Sequence, residues 1–369
     1  MAAEVSIVRD ADVPGLLQAE PARGRVLETR PAVTWRSLAT VRTSGPMELN
    51  ALPASYDAPA MVRREWYDVV ALPRQVVLSG DLMLPESFTT ADGKRQRNPT
   101  VHKVSPKVAH RPEVPADLPR LEGAYLHLEN VMPRHFGHAM TETLSRFWGS
   151  APGLTALVFD DSGELPGWQR DLFAAGGIDD LHVATGPVLV ESLVGVTPMF
   201  SRPAYAHPDL RATYDAVGAA LEGGASRTTW PDKVFFTRRP GKRSCRNAAE
   251  VEGLFAAAGF AVVHPEDHPL ADQAAMVRRA SAVGGFAGSG MFHLALAGEP
   301  KHVVLVSSEA YPCHNEVLMS ALLGHRLDIV LCRPDVPRVD GAFTRESFHS
   351  DYVLDPAREG EFLAQALAD

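Results

Sequence analysis

Hydrophobic and polar positions follow two rhythms along this chain, and the change between them marks its elements. From residue 1 to about 120 the pattern is broken. Thirteen of the 29 prolines fall there, each removing a backbone donor and discouraging long helices. Within that stretch 67–71 and 76–79 read as short strands. Residues 90–111 are polar and basic with no period, and read as a loop that is either mobile or turned toward an acceptor. From Leu121 the pattern is regular. Residues 124–130 alternate as a strand, and the chain then changes to helical spacing with Phe136, Met140, Leu144 and Phe147 on one side. Strand-like pieces at 157–159, 181–183 and 193–197 alternate with helix-like pieces at 167–175 and 208–222. Such alternation predicts a parallel sheet covered on both faces.

Residues 222–233 carry two glycines, small polar residues and a proline, and are the natural domain boundary. A cleaner series follows: strand 234–237, helix 247–259, strand 260–263, helix 272–280, strand 281–286, helix 291–298, strand 302–307 and helix 315–324. Right-handed crossovers make this a second doubly wound sheet. The expected division is 1–225 and 226–369, with a last helix at about 356–368 that could fold back on the first domain.

Composition narrows the class. The 369 residues suit two domains of ordinary size, and a hydrophobic fraction of 45% with 22% charged residues is that of a folded globular chain. The net charge of −9 gives no bulk attraction to nucleic acid or to an anionic membrane. Cys245, Cys313 and Cys332 are odd in number and widely spaced, which fits buried free thiols in a reducing compartment. The start of the chain lacks a signal-peptide pattern, and no run approaches the roughly 20 apolar residues of a membrane span. The expectation is a cytoplasmic protein, with peripheral membrane contact left open.

Three constellations carry candidate chemistry. Lys233, Arg238, Arg239, Lys242, Arg243 and Arg246 follow a strand, so they sit at the carboxyl edge of a parallel sheet, where such sheets bind ligands. Guanidinium groups match phosphate oxygens in pairs, and Arg238, next to the strand, is the foremost candidate. Gly285-Phe286-Ala287-Gly288-Ser289-Gly290 precedes a helix, where backbone N–H groups point toward anions. It matches neither the dinucleotide fingerprint nor a nucleophile elbow, so Ser289 reads as a ligand contact, or the whole as a tight turn. His138 and Glu142 stand four apart, which puts imidazole and carboxylate on one helix face as a general base and its orienting acid. With His135 they could instead supply three metal ligands, or His138 could be an interior histidine. Asp10 and Asp12 spell D-x-D, but before an apolar helix they read as caps.

As an ordered set these motifs resemble glycosyltransferase family 61. The matching features are Gly137-His138 and Glu142 with Arg146-Phe147-Trp148 behind; Thr237-Arg238 with Arg243 and Asn247; Asp272-Gln273; and the loop from Ala287 to His293. Two loop positions depart from the family pattern, with Ala287 in place of a histidine and His293 in place of an asparagine. The resemblance implies a GT-B architecture, in which two Rossmann-like domains face each other across a cleft. It also implies inverting transfer with no required metal or cofactor. A nucleotide diphosphate sugar would be the donor and a glycan or small-molecule hydroxyl the acceptor. Arg238 and the Gly288-Ser289-Gly290 turn would then hold the diphosphate, Arg243, Asn247, Gln273 and His293 would position the donor, and His138 with Glu142 would supply the base. Two alternatives stay open: a non-catalytic nucleotide-sugar-binding or assembly protein, and a metal-dependent hydrolase built on His135, His138 and Glu142.

Overall fold

The computed structural model describes residues 3–45, 53–89, 97–227, 229–338 and 344–369, and the chain divides into two compact units. Unit 1 comprises Met1–Trp35 and Tyr56–Thr213, and unit 2 comprises Arg36–Ser55 and Tyr214–Asp369. The division falls inside the helix Leu210–Gly223, a little before the Gly-rich boundary expected at 222–233. Ion pairs from Arg278 to Asp215 and Glu222 tie that helix to unit 2. Arg36–Ser55 joins the same unit because Thr40–Thr43 pairs in parallel with the strand Arg326–Pro334.

Unit 2 follows the predicted alternation closely. Ala261–Val263, Lys233–Phe236, Ala282–Phe286, His302–Ser308 and Arg326–Pro334 lie side by side in that order, all parallel. The order reverses between Lys233–Phe236 and Ala282–Phe286, which makes the carboxyl ends of these two strands the topological switch point, where open α/β sheets bind ligands. The core beneath is aromatic: Phe235 lies 4.2 Å from Phe255 and 5.1 Å from Phe286, ring centre to ring centre. Full burial of such a ring is worth about 1.5–3 kcal/mol. The last helix, Pro356–Ala368, packs here, where Leu363 and Ala366 close on the same cluster as Phe235, Phe255 and Val304. Of residues 291–298, read as an α-helix, 291–296 belong to the 3₁₀ helix Ser289–Leu296. The strand Arg326–Pro334 was not foreseen.

Unit 1 departs further from expectation. Its sheet has eleven strands among the described residues. Leu181–Ala184, Thr155–Phe159, Arg120–His127 and Val188–Val196 form a parallel part. The last of these then pairs antiparallel with the long strand Met61–Leu72. Nearly half of the described residues in the Pro-rich first 120 are strand, and the described prolines there all lie outside the strands, where no ladder donor is lost. Lys103–Ser105 and Val108–His110 form a hairpin that extends the sheet through Glu4–Ile7 and takes up 103–110 of the expected loop. Residues 90–96 of that loop lie outside the described residues. Asp10 and Asp12 cap nothing. Asp10 is buried against Arg64 at 2.6 Å and accepts from the Thr197 hydroxyl at 2.6 Å, while Asp12 pairs with Arg9. The molecule is therefore mixed α/β, with one doubly wound unit and one unit whose parallel strands carry a large antiparallel extension. All three cysteines are free and buried. No helix among the described residues is long and apolar enough to cross a membrane.

Candidate active site

In unit 1 the parallel strands run in the spatial order third, second, first, fourth, so the switch point lies at the carboxyl end of Arg120–His127. The chain leaving that strand is pinned at several points. Asn130 accepts from the Met132 amide at 2.9 Å and donates to the Thr143 hydroxyl at 3.0 Å. Arg134 makes a two-pronged bond to Asp160 at 2.7 Å, and Gln169 donates to the Pro133 carbonyl. The helical run that follows is irregular: α over Phe136–His138, π over Ala139–Thr143 and 3₁₀ over Leu144–Gly149. Single π turns inside helices recur at functional sites.

This run sets His138 Nδ1 2.7 Å from Glu142 Oε1. The imidazole is partly exposed, the carboxylate nearly buried. A carboxylate can only accept, so in the neutral imidazole a proton on Nδ1 facing Glu142 leaves the lone pair on Nε2. Glu142 Oε2 is buried without a hydrogen-bond partner among the described residues. Behind it the buried Arg146 donates to the Glu142 carbonyl at 3.0 Å and the Phe88 carbonyl at 3.2 Å. Burial lowers the Arg146 pKa, while the carboxylates of Glu142 and Glu86 favour its charge. His135 is exposed and stands edge-on to His138, ring centres 5.0 Å apart. Among the described residues no three His, Cys, Asp or Glu side chains gather as a metal-binding group, so His135, His138 and Glu142 do not form the ligand set weighed above. Two buried groups that the sequence reading passed over lie near Arg146. Burial pushes His127 down to about 3 and Glu129 up to about 8.

The switch point of unit 2 gathers some of the other candidates and scatters the rest. Arg238 follows Lys233–Phe236 by two residues, and its guanidinium reaches the Ala287 carbonyl at 3.4 Å and also donates to the Lys242 carbonyl. Burial lowers its pKa, and the neighbouring Arg243 adds to this. Arg243 has a left-handed backbone, φ 55°, and lays its guanidinium over the rings of Tyr311 at 4.4 Å and Phe348 at 4.8 Å. Both arginines converge on Gly288. A Cβ there would stand 3.5 Å from Arg238 Nη1 and 3.6 Å from Arg243 Nη2, and φ is +136°. Gly288 caps the 3₁₀ helix, so the first amides of Ser289–Leu296 lack intrahelical partners and face this end of the sheet. The Gly288 N–H itself is taken by Glu316 Oε1 at 2.8 Å. Three of the remaining basic residues turn elsewhere. Arg239 pairs with Glu266 and Asp267, Arg246 with Asp335, and Lys233 lies over Phe260.

Of three further candidates, two support the loop from behind and Asn247 turns elsewhere. Asn247 donates to the Leu354 carbonyl at 2.9 Å and accepts from the Leu354 amide at 3.1 Å, so its amide is committed to the backbone. Gln273 donates to the His268 carbonyl at 2.7 Å and contacts the ring of His293, whose Nδ1 lies 2.7 Å from the Gly290 carbonyl. His293 is buried, which pushes it down to about 4. The pair therefore braces the Gly290 turn from within the core. Tyr311 and Glu316 were missed. They lie well beyond the glycine turn in sequence, on a segment that reads only as an apolar helix and its approach.

No curated protein matches the chain. Residues 136–304 match the family model described as Glycosyltransferase 61, a stretch that begins two residues before His138 and ends within the strand His302–Ser308. It contains His138, Glu142, Arg238, Arg243 and the glycine turn, and stops short of Tyr311 and Glu316. By this match the region is that of glycosyltransferase family 61, and the chain is a glycosyltransferase.

Proposed function

We propose that the protein is an inverting, metal-independent glycosyltransferase that moves a sugar from a nucleotide diphosphate sugar to a hydroxyl of a glycan, polysaccharide or small-molecule acceptor. The division of labour is GT-B-like, with the donor held by unit 2 and the base supplied by unit 1. The observation that carries the reading is the His138–Glu142 pair at 2.7 Å, an imidazole nitrogen held against a carboxylate. His138 Nε2 takes the acceptor proton as the acceptor oxygen bonds to the anomeric carbon. The bond from that carbon to the diphosphate oxygen breaks on the opposite side, so the configuration inverts. Negative charge then grows on the leaving diphosphate. Arg238, Arg243 and the amides at Ser289 and Gly290 compensate it, as preorganised donors aimed at developing charge. Gly288 acts through its backbone shape, and Gln273 and His293 keep the surrounding loop in place. No cofactor is needed for these steps. The three free, buried thiols fit a cytoplasmic setting.

His138→Ala is expected to lower transfer by about 10²–10⁴-fold, the usual worth of a general base. Affinity for nucleoside diphosphate should stay within about twofold, because the side chain belongs to the other unit. Turnover retained in this variant removes His138 as the base. Activity should also survive exhaustive chelation with EDTA, and a loss restored by one divalent metal would overturn metal independence.

A further inference from the structure

We propose that Glu316, which lies outside the matched stretch, is a positioning residue for the donor half-site: its buried side chain sets the Gly288 turn and the aromatic plate under Arg243, and it takes up a proton when a diphosphate binds. The inference rests on the donor reading of Arg238 and the Ser289-Gly290 amides.

Glu316 sits in the first turn of the helix His314–Leu323 and is fully buried. Its Oε1 accepts from the Gly288 amide at 2.8 Å and from the Tyr311 hydroxyl at 3.2 Å, and its Oε2 lies 3.3 Å from the same hydroxyl. The Tyr311 ring in turn carries the Arg243 guanidinium at 4.4 Å. One carboxylate thus holds both the backbone against which two guanidinium groups close and the ring on which one of them rests. An amide or hydroxyl side chain could satisfy the Gly288 N–H without the cost of burying an acid. What the acid adds is negative charge beside Arg243, whose guanidinium crowds that of Arg238.

That charge has a consequence for binding. The groups facing Glu316 are Arg243, the Tyr311 hydroxyl, the Cys313 thiol and the amides of Gly288 and of Glu316 itself. Burial pushes the carboxyl up to about 7 even with these donors present. A diphosphate brought onto Arg238 and Arg243 places like charge near the carboxylate and claims the arginines, and both effects raise its pKa again. Binding near neutral pH is therefore coupled to uptake of part of a proton.

The experiment is calorimetric titration at pH 7 with the tightest binder among UDP, GDP, ADP and dTDP, in buffers of different ionisation enthalpy. Inorganic pyrophosphate serves as a base-independent probe. Wild type should show a buffer-dependent heat that reports proton uptake. Glu316→Gln keeps an acceptor for the Gly288 amide, so it should bind within about threefold of wild type and lose the buffer dependence. Glu316→Ala leaves the amide unsatisfied and should bind about tenfold more weakly. Melting curves of the unliganded variants establish folding, and the Gln variant carries the proton test should the Ala variant not fold. Unchanged proton uptake in Glu316→Gln, or wild-type affinity in a folded Glu316→Ala, overturns the proposal. If Arg238→Ala abolishes binding while Glu316→Ala binds normally, only this inference falls. If no probe binds wild type, the donor reading falls with it.

Discussion

At the scale of single residues, the two arginines on Gly288 are not equivalent. Arg238 has its two terminal nitrogens against the backbone carbonyls of Ala287 and Lys242, acceptors that a phosphate oxygen can replace with a stronger, charge-assisted partner. Arg243 is held by two aromatic faces and is already oriented before any anion arrives. Arg238→Ala should therefore weaken nucleoside diphosphate binding by about 10- to 100-fold, the worth of one or two charge-assisted bonds, and leave nucleoside binding within about twofold. Equal losses for both ligands would remove the phosphate role. The sequence pointed to Arg238 because it directly follows an apolar strand, and to His138 and Glu142 because a four-residue spacing survives as a contact even through a π turn. It could not reveal that Asn247 turns to the Leu354 backbone, since that depends on a partner more than a hundred residues away. Glu316 was hidden for the same reason. An acid in an apolar helix reads as solvent-facing until the fold brings Gly288 to it.

At the scale of elements, unit 2 was legible because each strand and helix is joined locally to the next. Much of unit 1 was not. Met61–Leu72 has charged residues among its apolar ones, yet one of them, Arg64, is buried between Asp10 at 2.6 Å and Glu86 at 2.6 Å. Only the finished sheet makes that arrangement visible. The strand Val188–Val196 runs past it with a glycine at the point of closest approach, where a Cβ at Gly195 would stand 1.9 Å from Glu86 Oε1. Gly195→Ala must displace the carboxylate from Arg64 and leave a buried cation half-paired. The expected loss is about 3–5 kcal/mol, as for other broken buried ion pairs. Gly167→Ala, at the start of a helix with open space around it, should stay within about 0.5 kcal/mol of wild type. Urea denaturation of the two variants side by side checks both values. Similar stabilities for the two would mean that the Arg64 network can relax without cost.

At the scale of the whole molecule, the buried titratable groups set how stability varies with pH. In unit 2, burial pushes His293 and His325 each down to about 4 and Glu316 up to about 7. In unit 1 it pushes His127 down to about 3 and Glu129 up to about 8. A histidine held neutral in the fold charges in the unfolded chain below its ordinary value near 6.5, so its contribution is complete above that pH and is lost as pH falls toward the folded value. A carboxyl held protonated does the reverse: its contribution is complete below its ordinary value near 4.5 and is lost as pH rises toward the folded value. Each proton of difference is worth about 1.4 kcal/mol per pH unit. Between about 4.5 and 6.5 three lowered histidines of unit 2, His293, His325 and His349, outweigh its two raised carboxyls, Glu316 and Glu359, and its stability climbs, while in unit 1 His127 and Glu129 offset each other. Above about 6.5 only the carboxyls still titrate, and both units lose stability, unit 2 until about 7 and unit 1 until about 8. His207, shifted down by burial, steepens the acid side. Urea midpoints measured from pH 4.5 to 8 should therefore rise to a maximum near 6.5 and then fall. Glu129→Gln, which cannot ionise, should flatten the fall in unit 1. A midpoint that keeps rising to pH 8 would mean that Glu129 and Glu316 ionise in the fold without penalty, and would also remove the buried proton acceptor on which donor-coupled proton uptake depends.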